Sequence, residues 1–181
     1  MTTDIRSEAA KYYDLNPHVP QDVPFYRERI PAPDAQVLEL GCGTGRTLIP
    51  LVPSCGYMHG IDLSDAMLAR CQQKLDAAGI PSSKAHVERG DITNFALGRT
   101  FDLIIAPYRA FQNLETDRQV EGLFNCVRNH LRATGTCILN VFHPFGSRRC
   151  CVTHGARRAN TSAGKYAWLG PASRAMTGDH E

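Results

Sequence analysis

The chain has 181 residues, a formal net charge of +2, 43% hydrophobic and 21% charged residues, a mixture that suits one globular domain and little more. It holds no run of about 18 apolar residues, which excludes a membrane-spanning helix, and the opening MTTDIRSEAAKYYDL lacks the apolar core of a signal peptide. Seven scattered cysteines, with no CxxC pair and no zinc-like His spacing, predict buried thiols in a reduced cytoplasmic protein that binds no metal.

The charge is unevenly spread. Residues 145–181 hold six Lys or Arg and two acids, and only Phe145, Val152 and Leu169 from the Leu/Ile/Val/Phe set. Such composition predicts a basic tail, disordered or irregular, outside the core. Residues 1–34 then form an N-terminal helical cap segment, and 35–144 the ligand-binding unit.

From residue 36 strands and helices alternate. QVLEL at 36–40 is a short apolar run stopped by glycines, the pattern of a buried strand. A helix starting near Gly45 is limited by Pro50 and Pro53. A second strand covers 57–61. Ser64 or Asp65 caps a helix that places Met67, Leu68, Cys71, Leu75 and Ala78 on one face and stops at Gly79. The third strand is 85–88, and FDLIIA at 101–106 the fourth, apolar enough to be covered on both faces. Thr116 caps a long helix, DRQVEGLFNCVRNHLRA, closed by Gly135, and the fifth strand is 136–142. The order predicts an α/β fold with a doubly wound, mostly parallel sheet. Ligands of such sheets lie past the carboxyl ends of the strands, at the point where the strand order reverses.

The chemistry gathers at those ends. Glu39-Leu40-Gly41-Cys42-Gly43-Thr44-Gly45 follows the first strand, and its glycines allow a sharp turn and close backbone approach. Asp62 is the first acid after the second strand, 21 residues beyond Gly41, the distance at which a carboxylate reaches ribose hydroxyls. The dinucleotide pattern GxGxxG is not met, because Arg46 stands where its third glycine belongs. Glu39 beside the loop would repel a pyrophosphate and suit a cation, which favours S-adenosylmethionine over a dinucleotide.

These segments resemble the class I, seven-stranded S-adenosylmethionine-dependent methyltransferases. VLELGCGTG, GIDLSDAML, GDITNF and FDLIIAPYRAFQNL are similar to successive motifs of that family, and Tyr13-Asp14 and Phe25-Tyr26 match the Tyr-Asp pair near the start and the aromatic pair before the first strand of its small-molecule members. The resemblance implies a Rossmann-like fold and a cofactor held by Tyr13, Glu39, Gly41, Cys42, Gly43, Asp62, Leu63, Met67, Asp91, Ile92 and Ala106. Acceptor contacts would come from Tyr26, Tyr108 and Arg109. The candidates for catalysis are Tyr13, Tyr108 and His143, each with an equally plain structural role. The acceptor is expected to be a small molecule. Ala106-Pro107-Tyr108 lacks the polar first residue of base-modifying enzymes, and no basic stripe with interleaved aromatics marks a specific nucleic-acid surface. No membrane partner is expected.

The family ends in an antiparallel hairpin beside the fifth strand, and nothing after Pro144 alternates convincingly. A missing hairpin is therefore expected, leaving five core strands and an exposed edge that invites self-association. Asn140 and His143 also depart from the family's usual ending of the fifth strand. Two rival readings follow: a catalytically impaired S-adenosylmethionine-binding module and, more distantly, a nicotinamide-dependent oxidoreductase.

Overall fold

The computed structural model describes residues 10, 12–15, 21–141, 156–161 and 164–169. After a short helix α1 (Val23–Arg27) come β1 (Gln36–Leu40), α2 (Leu48–Leu51) with a 3-10 turn at Val52–Ser54, β2 (Tyr57–Asp62), α3 (Asp65–Ala77), β3 (Ala85–Arg89), β4 (Phe101–Ala106), a 3-10 turn at Ala110–Asn113, α4 (Asp117–His130), β5 (Leu131–Val141), β6 (Ala156–Thr161) and β7 (Gly164–Leu169). The sheet order is β3-β2-β1-β4-β5-β7-β6. The first five strands pair in parallel. The chain winds outward from β1 to β3 and then returns to β4, so the order reverses between β1 and β4. A crevice at their carboxyl ends is the expected consequence.

Two hydrophobic layers hold the sheet. One joins Val37, Leu103, Ile105 and Met58 to Leu48, Leu51, Leu68, Cys71 and Leu75 of α2 and α3. The other joins Leu38, Leu40, Ile61, Phe101 and Ile104 to Leu123 and Val127 of α4. Each fully buried Leu or Ile contributes about 1.5–3 kcal/mol relative to an exposed one. Helix starts are set by side chains. Ser64 accepts from the Met67 amide at 3.4 Å, and Thr116 and Gln119 form a reciprocal capping box.

Three expectations are corrected. Helix α4 ends at His130 rather than near Gly135, and β5 begins at once at Leu131. The cause is the His130 ring. Its Nδ1 donates to the Cys126 carbonyl at 2.7 Å and its Nε2 accepts from the Leu97 amide at 3.0 Å, which fixes the last turn.

Secondly, the hairpin is present. β7 pairs antiparallel with β5, from Cys137↔Leu169 to Val141↔Lys165, and β6 pairs with β7. The tail was judged on its Leu, Ile, Val and Phe content, yet an outer hairpin is held by main-chain bonds and tolerates polar residues. The expectation of a wholly irregular 145–181 segment therefore fails over 156–161 and 164–169.

Thirdly, β5 has no open edge, so the ground for self-association through it is removed. No helix among the described residues is long and apolar enough to cross a membrane, and among them no cluster of ligands suits a metal ion.

Candidate active site

The loop after β1 is tied to β2. The amides of Gly41 and Cys42 both donate to the Ile61 carbonyl, at 2.8 and 3.1 Å. Gly41 sits at φ 72° with an Ala110 methyl pressed against it, so that an added Cβ would lie 2.8 Å from the Ala110 Cβ. Gly43, at φ 54°, has open space where a Cβ would stand. Both values lie in the left-handed region that side chains disfavour. The two glycines thus differ in what they serve: the first admits Ala110, the second leaves a bare backbone facing outward.

Asp62 fixes this turn. One carboxylate oxygen accepts from the Gly43 amide and the other from the Ser64 amide, each at 2.9 Å. Each oxygen keeps a second lone pair. Ser64, not Asp62, caps α3, as the sequence indicated.

Tyr13, Glu39, Gly41, Cys42, Arg46, Thr47, Pro107 and Tyr108 line a narrow cleft at the strand-order reversal. Glu39 is only 2% exposed, and its Oε2 is buried with no hydrogen-bond partner among the described residues. Burial pushes its carboxyl well above the ordinary carboxylate range; the Arg46 guanidinium opposes this, while Asp22 and Asp62 add to it. Arg46 is itself engaged by Asp22, which is 1% exposed and accepts from both guanidinium nitrogens, one at 3.2 Å. The Arg46 guanidinium also lies 5.6 Å from the Tyr108 ring centre.

The wall opposite the glycines is strained. Tyr108 and Arg109 have φ of 49° and 65°, a conformation that costs a non-glycine residue on the order of 1–3 kcal/mol and persists where surrounding structure enforces it. Tyr13 meets Tyr108 edge to face, with ring centres 6.4 Å apart. Burial raises the Tyr13 hydroxyl pKa, with Arg46 opposing. The phenol therefore keeps its proton and acts as a donor. Beside it, Asp14 accepts from the Thr44 hydroxyl at 2.6 Å and pairs with Lys74 at 2.8 Å, clamping residues 12–15 onto the glycine loop.

The remaining candidates lie apart from this cleft. Leu63 is 45% exposed next to Asp62, and Met67 is half-buried one turn into α3. Asp91 is exposed past β3, where one of its oxygens accepts from the Thr93 amide and hydroxyl, both at 2.8 Å. Ile92 packs against the second hydrophobic layer, and Ala106 is fully buried at the end of β4. Tyr26 is fully buried in the first layer against Phe25, with ring centres 5.2 Å apart; this corrects its expected place on the acceptor side. A fully buried ring at α1 fills core rather than pocket. His143 lies outside the described residues. Burial, followed by Glu39, pushes the Cys42 thiol well up, which disfavours its thiolate form. The Cys71 and Cys137 thiols are pushed up to about 12 by the same desolvation.

Sequence reasoning missed Asp22, Arg46 as a cleft residue, Thr47 and Pro107. The pairing of Asp22 with Arg46 spans 24 positions, and no local pattern announces it.

Residues 37–135 match a family model described as a methyltransferase domain. Over 145 residues the chain is 26% identical to dTDP-3-amino-3,6-dideoxy-alpha-D-glucopyranose N,N-dimethyltransferase of Streptomyces fradiae, covering 75% of this chain and 54% of that protein. The solved structure of an S-adenosylmethionine-dependent methyltransferase from Clostridium acetobutylicum is similar with a TM-score of 0.66 at 25% identity, covering 77% of this chain and 58% of that one. The S-adenosylmethionine-bound CalS10, an amino pentose methyltransferase from Micromonospora echinaspora, has the same fold with a TM-score of 0.63 at 24% identity, covering 88% and 65%. The chain spans about half the length of the curated relatives it matches. With residues 37–135 matched and the fold shared with the solved Clostridium acetobutylicum structure, the chain belongs to the methyltransferase-domain family and has the Rossmann-like fold of the class I S-adenosylmethionine-dependent methyltransferases.

Proposed function

We propose that the chain is an S-adenosylmethionine-dependent methyltransferase acting on a small molecule, with an amine on a sugar as the favoured acceptor class. The observation that carries the cofactor reading is Glu39, a buried carboxyl with an oxygen lacking a partner among the described residues, opening on a glycine loop at the strand-order reversal. An orphaned acceptor of that kind is costly unless a donor arrives, and an ammonium group is the donor it suits. Bound there, S-adenosylmethionine supplies an activated sulfonium methyl and an amino acid end carrying both charges.

The chain's own residues divide the work. Glu39 receives the ammonium, and Arg46 offers a guanidinium to the carboxylate. Gly43 gives close backbone approach, and the free lone pairs of Asp62 take ribose hydroxyls. Leu63, Met67, Asp91 and Ile92 form the adenine side. Tyr13 and Tyr108 close the cleft, exclude water and orient the acceptor in line with the methyl carbon. Tyr13 keeps its proton and does not act as a base; a neutral amine attacks through its free lone pair and needs no base before the transfer. The amino-sugar class is supported by the two sugar N,N-dimethyltransferases among the relatives. The impaired-module reading rested on a missing hairpin and loses that ground.

Calorimetric titration with S-adenosylhomocysteine tests the cofactor half. Binding by the parent chain and its loss in Asp62→Ala are expected; a folded parent that binds nothing refutes the assignment. Methyl transfer to a panel of nucleotide-linked amino sugars, against phenol and carboxylate acceptors, tests the acceptor class.

A further inference from the structure

Among the described residues four ionisable groups meet at and beside the cleft, and their signs could not balance if all were charged. Asp22, Asp62 and Glu39 bring three carboxyls, and Arg46 a single guanidinium. That guanidinium is already held by Asp22 through both nitrogens. Asp62 is satisfied by two backbone amides. Glu39 has neither kind of support: its Oε2 is buried without a partner among the described residues. Among the described residues the other titratable groups acting on it are the Tyr13 hydroxyl and the thiols of Cys42 and Cys71, none of which brings a compensating positive charge. A third negative charge in a dry site beside two others is strongly disfavoured.

We propose that Glu39 carries a proton while the cleft is empty and releases it to solvent when the cofactor's ammonium docks, so that cofactor binding is coupled to loss of one proton. The exchange balances. The neutral carboxyl gives its proton to water, the ligand keeps its own ammonium protons, and the carboxylate formed is neutralised by the ammonium against it. Raising the pH then strengthens binding for as long as free Glu39 holds its proton, because binding and deprotonation are linked. This rests on the cofactor reading above and adds to it a direction of pH dependence.

The test is calorimetry of the full chain with S-adenosylhomocysteine in buffers of different ionisation enthalpy, which counts protons directly. Near about pH 6, a pH above the ordinary Glu value, release approaching one proton per ligand is expected. The adenosine analogue 5′-methylthioadenosine, which has no amino acid end, is expected to bind without release. Difference infrared spectroscopy supplies a second readout: a protonated-carboxyl band lost on ligand addition and absent from Glu39→Gln, whether or not that variant still binds. Binding of S-adenosylhomocysteine without proton release, with no such band in the free protein, overturns the coupling alone. Absence of any binding by the folded parent overturns the cofactor reading and the coupling together.

Discussion

Two acids on neighbouring strands, at opposite ends of the sheet, meet opposite fates. Asp102, near the start of β4, accepts from Arg132 with both oxygens at 2.8 Å and from the Gln36 amide at 2.8 Å. Glu39, near the end of β1, is more deeply buried and has an oxygen with no partner among the described residues. The amino end of the sheet is closed by matched donors and acceptors. The carboxyl end keeps an orphaned carboxyl, two strained residues and a glycine with open space beside its backbone. Stability is concentrated where groups are satisfied, and binding capacity where one is left wanting.

Substitutions can break this contrast from either side. The largest effect is expected at Asp62→Ala, which frees the Gly43 and Ser64 amides. Losing the carboxylate that would take the ribose hydroxyls, and with it the support of the turn, makes the expected loss of cofactor affinity about 100-fold, on the order of 3 kcal/mol, read by calorimetry. Asp102→Ala should do the converse. Its Arg132 partner is half-exposed, so solvent moderates the cost to about 1–2 kcal/mol in urea denaturation, with cofactor affinity unchanged. Glu39→Leu sharpens the point further. Removing a buried carboxyl is expected to stabilise the fold by about 1 kcal/mol while weakening cofactor binding about tenfold. If that variant is destabilised instead, the two acids do not differ in kind.

A smaller effect is expected at Arg109→Gly. Relief of a left-handed backbone should raise stability by up to about 1 kcal/mol and loosen the Tyr108 wall, seen as weaker acceptor binding. The smallest concerns His59, whose Nε2 lies 2.8 Å from Glu88 on the flank of the sheet. Burial holds this histidine below its ordinary value of 6.5, with Glu88 opposing. The unfolded chain therefore takes up the proton first as pH falls. The stability present above that ordinary value is lost as pH drops through the lower folded-state value, and His59→Gln should flatten the slope. Denaturation midpoints across the acid range check it.

Much of this was legible in the chain. FDLIIA is apolar almost throughout and marks β4 to the residue; the hydroxyl of Thr116 marks the start of α4, while the start of α3 is left between Ser64 and Asp65 until the Met67 amide settles it. Glu39, Gly41 and Cys42, expected on the cofactor side, and Tyr108, expected on the acceptor side, line one cleft. What escaped reading was non-local. The Asp22–Arg46 pair and the His130 staple join residues 24 and 33 positions apart. The β6–β7 hairpin escaped for a different reason: main-chain pairing at a sheet's outer side needs little apolar side chain. Tyr26 was misplaced because an aromatic near a motif reads alike whether it fills core or lines a pocket.

The Asp14 clamp has a consequence for the order of assembly. Its partners Thr44 and Lys74 follow it by 30 and 60 positions, so it cannot form until β1, β2 and α3 have come together. Closing so long a loop is an entropic cost that only the finished glycine turn can offset. Among the described residues the earliest part of the chain is thus a late arrival. A nascent chain would build the cofactor's floor before it owned the roof, and partly made copies would remain open to solvent at the one place where the finished protein is most nearly closed.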